Sequence, residues 1–143
     1  MAQTVLITGS SSGIGKTTAV YFAQQGWNVA VTMRSPKKEK ELLSFPKIKL
    51  YALDVNKSAS VTTAIQAAID DFGRIDVVVN NAGYGVDGAF ESIDEQTIED
   101  QFQTNVFGLM RVTKAVLPHM RKNGGGTIIQ ISSDGWKTGV SFV

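Results

Sequence analysis

The chain has 143 residues, with 14 Lys plus Arg against 13 Asp plus Glu, one His and no Cys. That length suffices for one domain with a buried core, and the near-even charge balance creates no field favouring nucleic acid or an anionic membrane, which leaves a small molecule as the expected partner. Without cysteine there are no disulfides, thiolate nucleophiles or Cys-based zinc sites; the composition fits a reducing compartment, and the cytoplasm is the expected location.

Residues Met1 to Gly9 hold no basic n-region, and the apolar run Val5 to Ile7 is too short for a signal core or a membrane span. Thr4 to Thr8, β-branched and closed by Gly9, suits a strand buried on both faces. Ile14 to Gln25 follows with Ile14, Thr18 and Phe22 at helical spacing and Gly26 placed to cap it. Asn28 to Met33 predicts a second strand, and the lysine-rich stretch Pro36 to Leu43 a shorter, solvated helix. Ile48 to Leu53 is the third strand, with Asp54 at its end. Ser58 to Phe72 carries one apolar stripe, Val61, Ile65, Ala68, Ile69 and Phe72, and Gly73 stops it. Ile75 to Val79 is the fourth strand. A loop through Gly83, Gly85 and Gly88 then leads to a long helix from about Asp94 to Arg121, where Pro118 predicts a bend. Gly124-Gly125-Gly126 reads as a turn before the fifth strand, Thr127 to Ile131. Strands alternating with helices in this way predict an α/β fold, a doubly wound parallel sheet with right-handed crossovers, in one domain over residues 1–143.

Thr8-Gly9-Ser10-Ser11-Ser12-Gly13-Ile14-Gly15 joins the first strand to the first helix. Gly9, Gly13 and Gly15 allow a tight turn, approach of a pyrophosphate to bare backbone and close helix packing, while the helix N-terminus offers free amides to the anion. Gly9, Ser11, Ser12, Gly13, Ile14 and Gly15 are therefore candidate cofactor-binding residues. Gly15-Lys16-Thr17 resembles the end of an ATP-binding P-loop, but that motif needs glycine where Ser10 stands. Open α/β sheets bind ligands outside the carboxyl ends of their strands, and here each strand ends there in polar or glycine residues: Gly9, Arg34, Asp54, Asn80 to Gly83, and Ser132-Ser133. Any single one reads equally well as a loop polar group or a helix cap; their convergence on one crevice points to a binding site. At the end of the second strand an NAD enzyme would place Asp or Glu against the ribose hydroxyls, whereas Met33-Arg34-Ser35 stands there. The guanidinium fork of Arg34 suits a 2′-phosphate, so NADP is preferred over NAD.

The spacing Thr-Gly-x-x-x-Gly-x-Gly resembles the cofactor loop of the short-chain dehydrogenases/reductases. The resemblance continues through Asp54, Asn80-Asn81-Ala82-Gly83, Asn105 and Ile131-Ser132-Ser133, in the family's order, and covers essentially the whole chain. It implies a Rossmann-like fold and hydride transfer between NADP(H) and a small carbonyl or alcohol substrate. It also implies that Asp54 meets the adenine with Val55 beside the ring, and that Asn81, Ala82 and Gly83 line the cofactor ribose, with Asn80 tying strand ends together. Asn105, on a stripe with Ile98, Phe102, Leu109 and Met110, resembles the asparagine that holds a relay water and loosens its helix. Ser133 resembles the serine that hydrogen-bonds the substrate carbonyl oxygen. No metal site is implied. His119 reads as a surface residue favoured by the helix dipole, with no catalytic role.

The family completes its site with Tyr-x-x-x-Lys, whose lysine lowers the tyrosine pKa. The three tyrosines here, Tyr21, Tyr51 and Tyr84, all precede Ser133, and the only lysine after it is Lys137. The resemblance therefore implies an amino-terminal portion of a longer, homo-oligomeric oxidoreductase, catalytically incomplete as it stands; the alternative is a non-catalytic NAD(P)-binding module.

Overall fold

The computed structural model of the chain describes residues 2–133. Five parallel strands, β1 (Thr4–Ile7), β2 (Asn28–Met33), β3 (Ile48–Ala52), β4 (Val77–Asn80) and β5 (Thr127–Gln130), form one sheet in the order β3-β2-β1-β4-β5. Val5 stands opposite Val29 on one side and Val77 on the other, so β1 is the central strand. Because side chains alternate across a strand, Leu6, Ala30 and Val78 enter one apolar cluster, while Val5, Ile7, Val29, Val31 and Val79 enter another on the opposite face. All four residues of β1 are fully buried, which explains its lack of polar alternation. Each fully buried aliphatic side chain contributes about 1.5–3 kcal/mol to holding the layers together.

The helices cover both faces. α1 (Gly13–Gln24) packs on the cluster of Val5 and Ile7, and α2 (Ser58–Phe72) and α4 (Leu109–Lys122) pack on that of Leu6. α1 ends as expected, with Gly26 at φ +86°, its N–H bonded to Ala23 and that of Trp27 to Phe22, whose rings also meet edge-on at 5.0 Å. α2 buries Val61, Ala64, Ile65 and Ala68, close to the expected stripe. The buried face of α1 is displaced by one residue from expectation. Gly15 and Ala19 face the core, and Ile14 is 64% exposed at the mouth of the glycine loop, because only small side chains fit between α1 and the strand ends.

Two further expectations are corrected. Pro36 to Leu43 is no α-helix but two short 3₁₀ turns, Pro36–Lys38 and Leu42–Ser44. Glu39 Oε1 accepts the Leu42 N–H at 3.1 Å, the amide that an α-helix would aim at the Lys38 carbonyl. The long helix is also not continuous: α3 (Glu95–Phe102), N-capped by the Asp94 carboxylate, passes through a wide π turn at Gln103–Gly108 into α4. Pro118 sits inside α4, which continues past it to Lys122.

His119 is half-buried rather than a free surface residue: its Nε2 accepts the Ile75 N–H at 3.2 Å, just before β4 begins. That bond and the Asp76 carboxylate, which takes the Thr4 N–H at 2.8 Å, are made where a ladder running from Ile75 was expected, and β4 starts at Val77. Only a neutral imidazole can accept this bond. Burial, aided by the charges of Lys122 and Arg74, holds the His119 pKa below its usual 6.5. A lowered folded value means that the unfolded chain binds the proton more readily, so the stabilisation is complete above about pH 6.5 and is lost as pH falls through the folded value. Glu39, Asp71 and Asp94, held by hydrogen bonds below their ordinary 4.5, 3.8 and 3.8, weaken only in stronger acid. Urea unfolding at pH 7.5 and 5.5 should show a loss of stability that His119→Gln, a non-titrating acceptor, makes shallower.

Candidate functional site

The chain runs outward from β1 to β3 on one side of the sheet and returns to β4 and β5 on the other, so the connections diverge between β1 and β4 and leave a crevice at their carboxyl ends. The Thr8 hydroxyl oxygen accepts two backbone N–H groups, from Asn81 and Ala82, both at 3.0 Å. In return the Asn81 side-chain amide donates to the Thr8 and Gly9 carbonyls, each at 3.0 Å. The loop after β1 and the loop after β4 are thus sewn together across the crevice.

The glycines fit this seam for different reasons. At Gly9, φ is +67° and an added Cβ would stand 2.7 Å from Ala82 Cα. At Gly15 an added Cβ would strike the Asn81 amide and would stand 2.6 Å from the Gly9 carbonyl oxygen. Gly13 differs: φ is +55°, and nothing lies within 4 Å of where a Cβ would be. Its bare backbone faces open space at the N-terminus of α1, beside the exposed Ser11 and Ser12. Free amides at a helix N-terminus with no side chain in front of them suit an anion.

Of the other residues singled out in the sequence, Arg34 is exposed at the end of β2, and the glycine loop is bonded to that strand through Ser10 N–H and the Thr32 carbonyl at 3.1 Å. Asp54 makes a tight turn by accepting the Asn56 N–H at 3.0 Å, which accounts for part of its acid without a ligand. Val55 is buried against Gly108, where an added Cβ would stand 2.7 Å from Val55 Cγ2. Asn80 does tie elements together: its amide donates to the Thr113 hydroxyl of α4 at 3.1 Å, and its carbonyl takes the Ile131 N–H. Ser132 and Ser133 are exposed at the carboxyl end of β5.

Asn105 lies in the π turn with both halves of its amide engaged. Its Oδ1 accepts the Tyr84 N–H at 3.0 Å and its Nδ2 donates to the Tyr84 carbonyl at 2.7 Å, while Gly83 leaves room for it. The apolar stripe expected around it is not the buried one. Gly108, Val112, Val116 and Met120 face the core, and Phe102 and Met110 are 54% and 55% exposed, because Gly108 lets the helix close on Val55 along a line one residue away. On its far side the turn is held by Arg111, whose guanidinium donates to the Gln103 carbonyl at 3.3 Å, to the Gln103 side chain at 2.7 Å and to the Val55 carbonyl at 3.4 Å. Thr104 bonds Asn56 at 3.0 Å. Tyr51 is no proton donor for such a site: burial, with Asp71 accepting from its hydroxyl, pushes its pKa up. Lys137 lies outside the described residues.

Thr8 and Arg111 were not legible as site-building residues in the sequence; for Thr8, the signal was a hydroxyl at the end of a strand too apolar to expose it. Thr8→Val keeps the shape and removes the acceptor of two N–H groups, each costing about 1–3 kcal/mol when left unpaired. Chemical denaturation should therefore find Thr8→Val destabilised by about 2 kcal/mol or more, with Thr8→Ser near wild type.

A family model described as short chain dehydrogenase matches residues 3–142. The chain is 43% identical over 140 residues to a 3-ketodihydrosphingosine reductase of Bacteroides thetaiotaomicron, covering 98% of this chain and 50% of that protein. Among solved structures, ElxO with NADP bound superposes with a TM-score of 0.90 at 34% identity, over 99% of this chain and 60% of that one. A short-chain dehydrogenase from Streptomyces avermitilis gives 0.91 at 35% identity, over 100% of this chain and 53% of that one. The chain thus spans about half the length of the curated relative. The match across residues 3–142, on a sheet of order β3-β2-β1-β4-β5 with its loops joined at the switch point, makes the chain a member of the short-chain dehydrogenase family.

Proposed function

We propose that this chain is the NADP(H)-binding part of an oxidoreductase that moves hydride between NADP(H) and a small carbonyl or alcohol substrate. The observation that carries the reading is the crevice between β1 and β4, where Gly13 turns bare backbone outward while Gly9 and Gly15 are packed shut. A cradle open at one glycine and filled at the others fits a pyrophosphate. The residues at its margins fit the rest of a dinucleotide: Arg34 for the 2′-phosphate, Asp54 and Val55 for the adenine, Asn81 to Gly83 for the ribose. The NADP in ElxO supports the choice of cofactor. When bound, the nicotinamide supplies or accepts the hydride.

Ser133 is assigned to the substrate oxygen, to which its hydroxyl donates. Asn105 is assigned to the proton relay through its backbone: its side chain holds Tyr84, and the wide turn loosens the helix around it. The exposed Phe102, Phe107 and Met110 support burial of this helix face in a homo-oligomer. No helix among the described residues is long and apolar enough to cross a membrane, and a cytoplasmic location goes with this reading.

The second reading is a dinucleotide-binding module without catalysis; within these 143 residues none of the three tyrosines is followed four residues on by lysine. Without a phenol of lowered pKa, general acid–base help of about 10²- to 10⁴-fold is missing. The 143-residue chain should accordingly bind NADPH yet show no turnover with ketones and aldehydes, whereas a chain carrying a Tyr-x-x-x-Lys segment downstream should oxidise NADPH and lose this on Ser133→Ala. Turnover by the 143 residues alone would overturn this assignment of the proton donor, and an extended chain without activity would favour the module.

Two substitutions test the cofactor seat. Arg34→Ala should weaken NADPH by about 1.5–3 kcal/mol, the worth of a charge-assisted hydrogen bond, with little change for NADH. Gly13→Val should abolish binding of both in calorimetry, while the cost of a side chain at positive φ, about 1–2 kcal/mol, leaves the chain folded.

A further inference from the structure

Lys16 follows the glycine loop in the first turn of α1, and its ammonium reaches across to the segment that follows β2. It stands 3.1 Å from the Glu39 carboxylate and 2.8 Å from that of Glu41. Glu39 is held on a second side by the Leu42 N–H, and its side chain is only 8% exposed. The segment is folded on itself, with Lys38 N–H bonded to the Ser35 carbonyl and Glu39 N–H to that of Pro36. Both acids belong to the folded segment that follows Arg34 in the chain, as do Lys37 and Lys38. Among the described residues, Arg34, Lys37 and Lys38 make no ion pair, whereas the two carboxylates share one lysine contributed by a different element.

A phosphate arriving at the end of β2 would meet these two negative charges as well as the free cations. Charges act on one another within a screening length of about 8 Å, so uncompensated carboxylates in this segment would oppose a phosphate dianion while acting little on a ribose that lacks it. We propose that Lys16 is a specificity-determining residue for the phosphorylated cofactor, acting without touching it by cancelling the charge of Glu39 and Glu41 beside Arg34. The inference rests on the reading that Arg34 receives the 2′-phosphate.

The test is calorimetric titration of the full chain with NADPH and with NADH. Lys16→Met should weaken NADPH about tenfold and NADH less than twofold, and adding Glu39→Gln and Glu41→Gln in the same chain should restore most of the NADPH affinity. Equal weakening of both cofactors would reveal a structural role alone and overturn the inference, as would an unchanged ratio or a triple variant that does not recover. If Lys16→Met does not fold, Glu39→Gln/Glu41→Gln in the wild-type background decides: NADPH affinity should hold or rise, and a fall overturns the inference. Arg34→Ala separates the two levels. If it leaves the NADPH to NADH ratio unchanged, or the wild type binds neither cofactor, the phosphate reading falls and this inference with it. If Arg34→Ala shifts the ratio and Lys16→Met does not, only the role of Lys16 falls.

Discussion

The hydroxyl of Thr8, buried at the end of the central strand, holds two backbone N–H groups of the neighbouring β4 loop. Much of the site follows from it. A parallel sheet leaves the N–H and C=O groups beyond its strand ends without ladder partners, and buried ones must find others. Here they are paired with each other across the switch point, by Thr8 in one direction and by the Asn81 amide in the other. Once the two loops are locked, Gly9 is pressed on Ala82 and Gly15 on Asn81, and no larger residue fits either place. What remains open is the backbone at Gly13. The cradle is shaped by contacts within the protein before any ligand enters, which keeps the ordering cost of binding low.

Much of this was legible in the sequence because it rests on local rules. Strands buried on both faces are short runs of Val, Ile and Leu, and helices stopped by Gly26 and Gly73 end where a left-handed residue is needed. The clustering of Gly9, Arg34, Asn81 and Ser133 at one sheet edge follows from strand direction alone. What was not legible depends on side chains meeting across long stretches of chain. Nothing near Pro36 to Leu43 announces that Glu39 will take the Leu42 amide and be met by Lys16, and without those bonds the composition is helical. His119 carries no local sign that Ile75, distant in sequence, will offer it an N–H. Asn81 was read as lining a ribose site; in the fold its amide clamps the loop after β4 to the loop after β1.

The segment around Asn105 shows both outcomes. A polar amide among apolar residues signalled a special role, and the loosening of the helix is present as a π turn. Its partners were out of reach of pattern reading. On one side Asn105 grips Tyr84 in the loop after β4, and on the other Arg111 and Thr104 grip the loop after β3 that carries Val55 and Asn56. One short stretch of helix thus braces the loop after β3 against the loop after β4.

A π turn contains one residue more than an α turn over nearly the same path, and an α-helix advances by about 100° per residue. The turn at Gln103–Gly108 is therefore an angular offset written into the chain between α3 and α4. The helix would be healed most simply by losing a single residue, and that loss would swing Asn105 by about 100°, away from Tyr84. Insertions and deletions are ordinarily harmless in loops and harmful in helices because of the packing they displace. Here the irregular turn is itself what aims the side chain, so a one-residue change of length between Asp94 and Asn105 would break the hold on Tyr84 as surely as replacing Asn105.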